Sequence, residues 1–72
     1  MTRDIKRSVT ISGHRTSLSL ENEFWAELRA AAKEEGLSLA ALLKRIDAAR
    51  AGSGRNLSSA ARIYVLNRLK SR

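Results

Sequence analysis

The sequence predicts a mostly α-helical domain that begins with a short strand. Apolar and polar residues alternate strictly over residues 15–20, and this is the pattern of a half-buried strand. Three later segments carry apolar residues at the spacing of three and four that is typical of amphipathic helices. With 72 residues and no cysteine, the chain forms one small domain without disulfides.

The predicted strand has two different faces, because successive side chains point to opposite sides of a strand. The apolar face carries Thr16, Leu18 and Leu20. The polar face carries Arg15, Ser17 and Ser19. A guanidinium and two hydroxyls can hydrogen-bond the edges of bases, so these three residues are candidate DNA base contacts.

This strand needs a partner, because its backbone donors and acceptors must be satisfied. No obvious strand follows it, and the simplest partner is the same strand of a second copy. Residues 8–12 also alternate, and Gly13 permits a bend. This segment therefore extends the ribbon, folds back as a hairpin or stays loose. Residues 1–7 are predicted to be a flexible basic arm in which Lys6 and Arg7 contact DNA phosphates.

The three helices have recognisable ends. The first runs from about Asn22 to Glu35 and stops at Gly36, where a left-handed residue is favoured. The second is capped by Ser38 and continues to about Arg50. After a loop with two glycines, the third spans roughly residues 57–69.

More apolar helical surface is present than a chain of this size is expected to bury alone. The third helix in particular is apolar over more than one narrow stripe. We therefore expect an obligate homodimer, and the sequence leaves open whether dimers pair further. The residues predicted to form the dimer core are Thr16, Leu18, Leu20, Trp25, Leu28, Leu42 and Ile46.

The net charge of +7 is concentrated at the two ends of the chain. From Arg50 onward there are six basic residues and no acidic one. This asymmetry favours a polyanionic partner, although a solvated basic surface is the simpler alternative. No apolar run approaches a membrane span and no secretory signal is evident, so we expect a cytoplasmic protein without a membrane partner.

Catalysis and metal binding find little support in the sequence. His14 is the single histidine, and no cysteine exists to complete a metal site with it. No nucleophile–base pair or phosphate-cradling loop is evident. We expect no enzyme activity, no cofactor and no metal.

The order of elements resembles the ribbon-helix-helix family of bacterial DNA-binding proteins, of the Arc/MetJ type. The resemblance covers about residues 14–50 and is carried by Arg15-Thr16-Ser17-Leu18-Ser19-Leu20, Glu21-Asn22-Glu23-Phe24-Trp25, Lys33-Glu34-Glu35-Gly36 and Leu37-Ser38-Leu39. A short bacterial subgroup is also similar in its Phe-Trp pair and in the Leu-Ser-Ser-Ala start of its last helix. The resemblance implies base contacts from Arg15, Ser17 and Ser19, and phosphate contacts from Ser38 and the neighbouring Leu39 amide.

The predicted organisation is a basic arm over residues 1–7, a ribbon-helix-helix core over 8–50, and a loop with an additional helix over 51–72. The resemblance implies a homodimer that inserts a two-stranded ribbon into the major groove of double-stranded DNA and regulates transcription. The alternative is an antitoxin-like or adaptor module whose C-terminal helix binds a partner protein. Two features depart from the family pattern, namely the third helix and the two short serines on the ribbon.

Overall fold

The computed structural model describes residues 4–71 and contains a β-hairpin followed by three helices. The elements in chain order are β1 (Asp4–Ile11), β2 (His14–Glu21), α1 (Asn22–Glu35), α2 (Leu39–Ala49) and α3 (Leu57–Lys70). The predicted mostly α architecture is confirmed, as is the third helix.

The partner of the predicted strand is a segment of the same chain. β1 and β2 pair antiparallel, from Asp4 opposite Glu21 to Ile11 opposite His14. The two turn residues, Ser12 and Gly13, have φ of 53° and 80°. Such two-residue turns suit hairpins because their twist matches that of the flanking strands. β2 therefore has a partner within its own chain, because residues 8–12 fold back as a hairpin, and pairing with a second copy stays a prediction.

The flexible arm expected over residues 1–7 is also corrected where the structure describes it. Residues 4–7 belong to β1, and residues 1–3 lie outside the described part. Arg7 breaks the apolar alternation of this strand, which is why the strand is hard to recognise. The position tolerates arginine because the guanidinium lies over the ring of Trp25, 5.5 Å from its centroid, while the side chain stays exposed.

One chain buries a complete hydrophobic core. Six of the seven residues expected in a dimer core are buried within the single chain, and Thr16 is half-buried at its margin. The core consists of Ile11, Leu18, Leu20, Trp25, Leu28, Ala31, Ala32, Leu42, Leu43, Ile46, Ala61 and Val65. Because β1 pairs with β2 and the chain encloses its own core, neither reason for an obligate dimer holds.

The third helix closes this core. α3 packs against α1, α2 and β2, burying Ala61 and Val65. Arg62 pairs with Glu21 at 3.0 Å and with Asp4 at 3.8 Å, and Arg68 donates a hydrogen bond to Glu27 at 3.3 Å. Part of the positive charge near the C-terminus is therefore used to attach α3 to the rest of the fold.

The ends of the helices form as the sequence predicts. Gly36 has φ of 70° and donates to the carbonyls of the last turn of α1. The Ser38 hydroxyl accepts a hydrogen bond from the Ala41 amide, and the Asn56 side chain accepts one from Ser59. In the part of the chain that the structure describes, no helix has the length and apolarity needed to cross a membrane.

Candidate nucleic-acid interface

The outward side of the hairpin carries polar side chains, and we call the six that lie beyond the Asp4–Glu21 pair the polar ribbon face. Residues paired across an antiparallel ladder share a face of the sheet. The pairs on this side are Lys6–Ser19, Ser8–Ser17 and Thr10–Arg15. All six side chains are exposed except Ser19, which is half-buried.

The opposite side of the hairpin anchors the ribbon to the helices. Leu18 and Leu20 are buried there, at 1% and 0% exposure. The indole N–H of Trp25 donates a 2.9 Å hydrogen bond to the carbonyl of Ile5, which joins α1 to β1. The ribbon is therefore held on a packed base with its polar face turned away from the core.

The charges on the polar ribbon face are available to a ligand. Lys6 and Arg15 form no ion pair with a carboxylate within residues 4–71. The acidic pair at the α1 end of the ribbon, Asp4 and Glu21, is held by Arg62. A backbone hydrogen bond, followed by the hydrogen bond from Arg62, holds the pKa of Glu21 below its ordinary value of 4.5. The six residues of the polar ribbon face therefore carry net positive charge, from Lys6 and Arg15.

The structure brings the three predicted base contacts together, since Arg15, Ser17 and Ser19 lie on one face of β2. It adds Lys6 to that face but separates it from Arg7. Arg7 lies on the other side of β1, over the Trp25 ring. The roles of Lys6 and Arg7 as phosphate contacts stay predictions.

The predicted phosphate contacts on α2 lie on a separate element. Ser38 is exposed with its hydroxyl occupied by capping, and Leu39 is half-buried against the core. The opposite end of α2 lies near the hairpin turn, because Asp47 and Arg50 line the same cleft as Ser12 and His14. A helix of 11 residues is about 16 Å long, so Ser38 is well separated from that turn.

Two members of the polar ribbon face, Ser8 and Thr10, were not predicted as site residues. Their alternation with Val9 and Ile11 is visible in the sequence. A two-residue turn at Ser12-Gly13 would have placed them opposite Ser17 and Arg15. The signal was therefore present but depended on choosing the hairpin over the other arrangements.

Metal ligands do not cluster on this surface. Within residues 4–71, no group of three His, Asp or Glu side chains is arranged to hold a metal ion. What the site offers is an array of hydrogen-bond donors and acceptors with two cations, Lys6 and Arg15, that form no ion pair in the described part of the chain.

Proteins that read duplex DNA with β-strands include ones that present a two-stranded ribbon. The chain belongs to the ribbon-helix-helix family, since the family model described as a ribbon-helix-helix domain matches residues 4–69. This membership indicates a DNA-binding protein of regulator type in general. Searches of curated proteins and of solved structures returned no significant match.

Proposed function

We propose that the protein is a sequence-specific duplex-DNA-binding protein that regulates transcription. The polar ribbon face carries this proposal, because it combines hydroxyls with two cations that form no ion pair within residues 4–71. The major groove of B-DNA is about 12 Å wide and admits a two-stranded β-ribbon. The hairpin meets that requirement within one chain.

The contacts divide into base reading and phosphate binding. Arg15 bonds the O6 and N7 acceptors of a guanine, and Ser17 and Ser19 bond neighbouring base edges. Ser38 and the Leu39 amide bind phosphate at the N-terminus of α2, where the helix dipole favours an anion. Phosphate contacts fix the position of the protein, whereas base contacts give the sequence preference.

The family resemblance implies that the protein acts as a homodimer in the cytoplasm of a bacterium. Because each chain completes its own ribbon, a homodimer of this protein carries two ribbons rather than sharing one. Contact between two copies would then set the distance between two DNA sites. It would not be needed to build either reading surface.

The test is the affinity for duplex DNA across a salt series, measured by fluorescence anisotropy. A specific and a scrambled duplex are compared for the wild type, Arg15→Ala and Arg29→Ala. Arg29→Ala is the control for Arg15→Ala, because it removes the same charge from a different surface. Arg29 is exposed on α1 and, like Arg15, forms no ion pair within residues 4–71.

We expect Arg15→Ala to lower the affinity for the specific duplex by roughly 5- to 140-fold more than for the scrambled one. Arg29→Ala should change both affinities little and alike. Binding should also weaken as salt rises, because phosphate contacts release counterions. Wild-type protein without salt-dependent affinity, or equal effects of the two variants, would contradict the proposal.

The second candidate function is a protein-interaction module, and one observation favours it. Leu66 and Leu69 on α3 are 54% and 43% exposed, although both are large and apolar. Exposed apolar groups of this kind are used in contacts with partner proteins. If this function were the correct one, the wild type would lack salt-dependent duplex affinity, and Leu66→Ser with Leu69→Ser would abolish binding of the partner.

A further inference from the structure

The two strands of the hairpin repeat one sequence pattern. Residues 6–11 read Lys-Arg-Ser-Val-Thr-Ile, and residues 15–20 read Arg-Thr-Ser-Leu-Ser-Leu. In both segments a basic residue is followed two positions later by serine and two positions after that by a second hydroxyl. The repeat is offset by nine residues, so Lys6 corresponds to Arg15.

Because the two strands pair antiparallel with corresponding residues opposite each other at the centre, the repeat gives the ribbon approximate two-fold symmetry. Ser8 lies opposite Ser17, and these residues correspond to each other in the repeat. A two-fold axis through this pair, normal to the ribbon, exchanges Lys6 with Arg15 and Thr10 with Ser19. The cations therefore occupy one pair of diagonal corners of the polar ribbon face, and the hydroxyls occupy the other.

Two pairs of residues on the inner side of the ribbon follow the same relation. Ile11 and Leu20 correspond in the repeat, and both are buried, at 6% and 0% exposure. Val9 corresponds to Leu18, and both contribute to the core. The relation does not extend to Arg7 and Thr16 or to Ile5 and His14, so the two-fold symmetry of the inner side is partial.

We infer that a single chain reads a short pseudo-palindromic element of duplex DNA, with Lys6 as the counterpart of Arg15. This rests on the proposed function. A lysine, like an arginine, can bond the O6 and N7 acceptors of guanine. The two-fold relation directs the two cations at opposite DNA strands, so the element contains a guanine on each strand.

The distance between the two guanines follows from the pairing register of β1 and β2. Lys6 lies opposite Ser19, four residues along β2 from Arg15. At about 3.4 Å per residue this separates the two cations by roughly 14 Å along the ribbon. With base pairs about 3.4 Å apart, the two guanines are roughly four base-pair steps apart.

The experiment selects bound sequences from a randomised duplex library with four proteins. They are the wild type, Lys6→Ala, Arg15→Ala and the control Lys44→Ala. Lys44 is exposed on α2 and has no ion pair within residues 4–71. The affinities of single-base variants of the selected duplex are then measured for each protein.

We expect the wild type to select guanine at two positions on opposite strands. Arg15→Ala should lose the preference at one position and Lys6→Ala at the mirrored one, each by roughly 5- to 140-fold relative to the other bases. Lys44→Ala should keep both preferences. Lys6→Arg should make the selected element more nearly palindromic, and native mass spectrometry with a duplex that carries two elements should show two bound chains.

Three results would overturn the inference alone. Lys6→Ala could weaken binding to all sequences equally, which would make Lys6 a phosphate contact. Both alanine variants could relax the same base position, or two chains could be needed for one element. If the wild type bound no duplex in a salt-dependent way, the proposed function would fail together with this inference.

Discussion

Replacing Trp25 with phenylalanine should weaken the attachment of the ribbon to the helices. Trp25 is fully buried, its indole N–H donates to the Ile5 carbonyl at 2.9 Å, and the Arg7 guanidinium lies over its ring. A hydrogen bond contributes about 1 kcal/mol to stability, and the gap left by the smaller ring costs about 1 kcal/mol more. A weaker cation–π contact adds roughly 0.5 kcal/mol.

The expected loss in the free energy of unfolding is therefore about 2–3 kcal/mol. This is a large share of the roughly 4–11 kcal/mol expected for a chain of this length. Urea unfolding followed by far-UV circular dichroism measures it, since Trp25 is the single tryptophan and fluorescence is lost with it. Combining the change with Arg7→Ala in a double-mutant cycle isolates the cation–π term. A loss below about 0.5 kcal/mol would refute the reasoning.

The other predictions concern the hairpin, the third helix and pH. Leu18→Ala should destabilise the fold by about 2–5 kcal/mol, whereas Ser17→Ala on the outer face should cost little; equal urea midpoints would show that the faces are misassigned. Gly13→Ala should cost roughly 1–2 kcal/mol in the same assay, because φ is +80° there, and an unchanged stability would contradict the turn geometry. Because the pKa of Glu21 is lower in the folded chain, its carboxylate stabilises the fold at pH values above 4.5, the ordinary pKa of this group. This contribution is lost as pH falls through the pKa of Glu21 in the folded state. Glu21→Gln should therefore flatten the acid limb of the stability curve, and an unaltered curve would exclude this role. Truncation after Arg50 should unfold or aggregate the protein by exposing the core that α3 covers, and a truncated chain as stable as the full one would make α3 an accessory.

The helices were predictable because their ends are marked by local chemistry. Gly36 supplies the left-handed residue that ends α1, and Ser38 and Asn56 supply capping side chains. The faces of β2 were predictable for the same kind of reason, since strict alternation from Arg15 to Leu20 fixes which side chains are buried.

The pairing of the strands was not predictable in the same way. Arg7 interrupts the apolar face of β1, and only the Trp25 ring, which lies 18 residues away in the sequence, makes that position acceptable. Because β1 was not recognised in the sequence, the strand over residues 15–20 had no partner within the chain, and a second copy appeared necessary to supply one. The burial of the core by one chain likewise depends on where α3 packs, which periodicity alone does not specify.

The prediction of the site was limited in the same way, because it depends on how the two strands pair. Arg15, Ser17 and Ser19 could be assigned from one strand, but Lys6, Ser8 and Thr10 join them only through the register of the hairpin. A phosphate contact at Ser38 rests on the family resemblance and on the helix N-terminus.

The most direct test of the central claim is a titration of isotope-labelled protein with duplex DNA, followed by amide chemical shifts in nuclear magnetic resonance spectra. If the polar ribbon face binds the major groove, the largest changes should fall on Lys6, Ser8, Thr10, Arg15, Ser17 and Ser19 and should diminish as salt is added. Changes confined to the α3 surface around Leu66 and Leu69, with the hairpin amides unmoved, would contradict it.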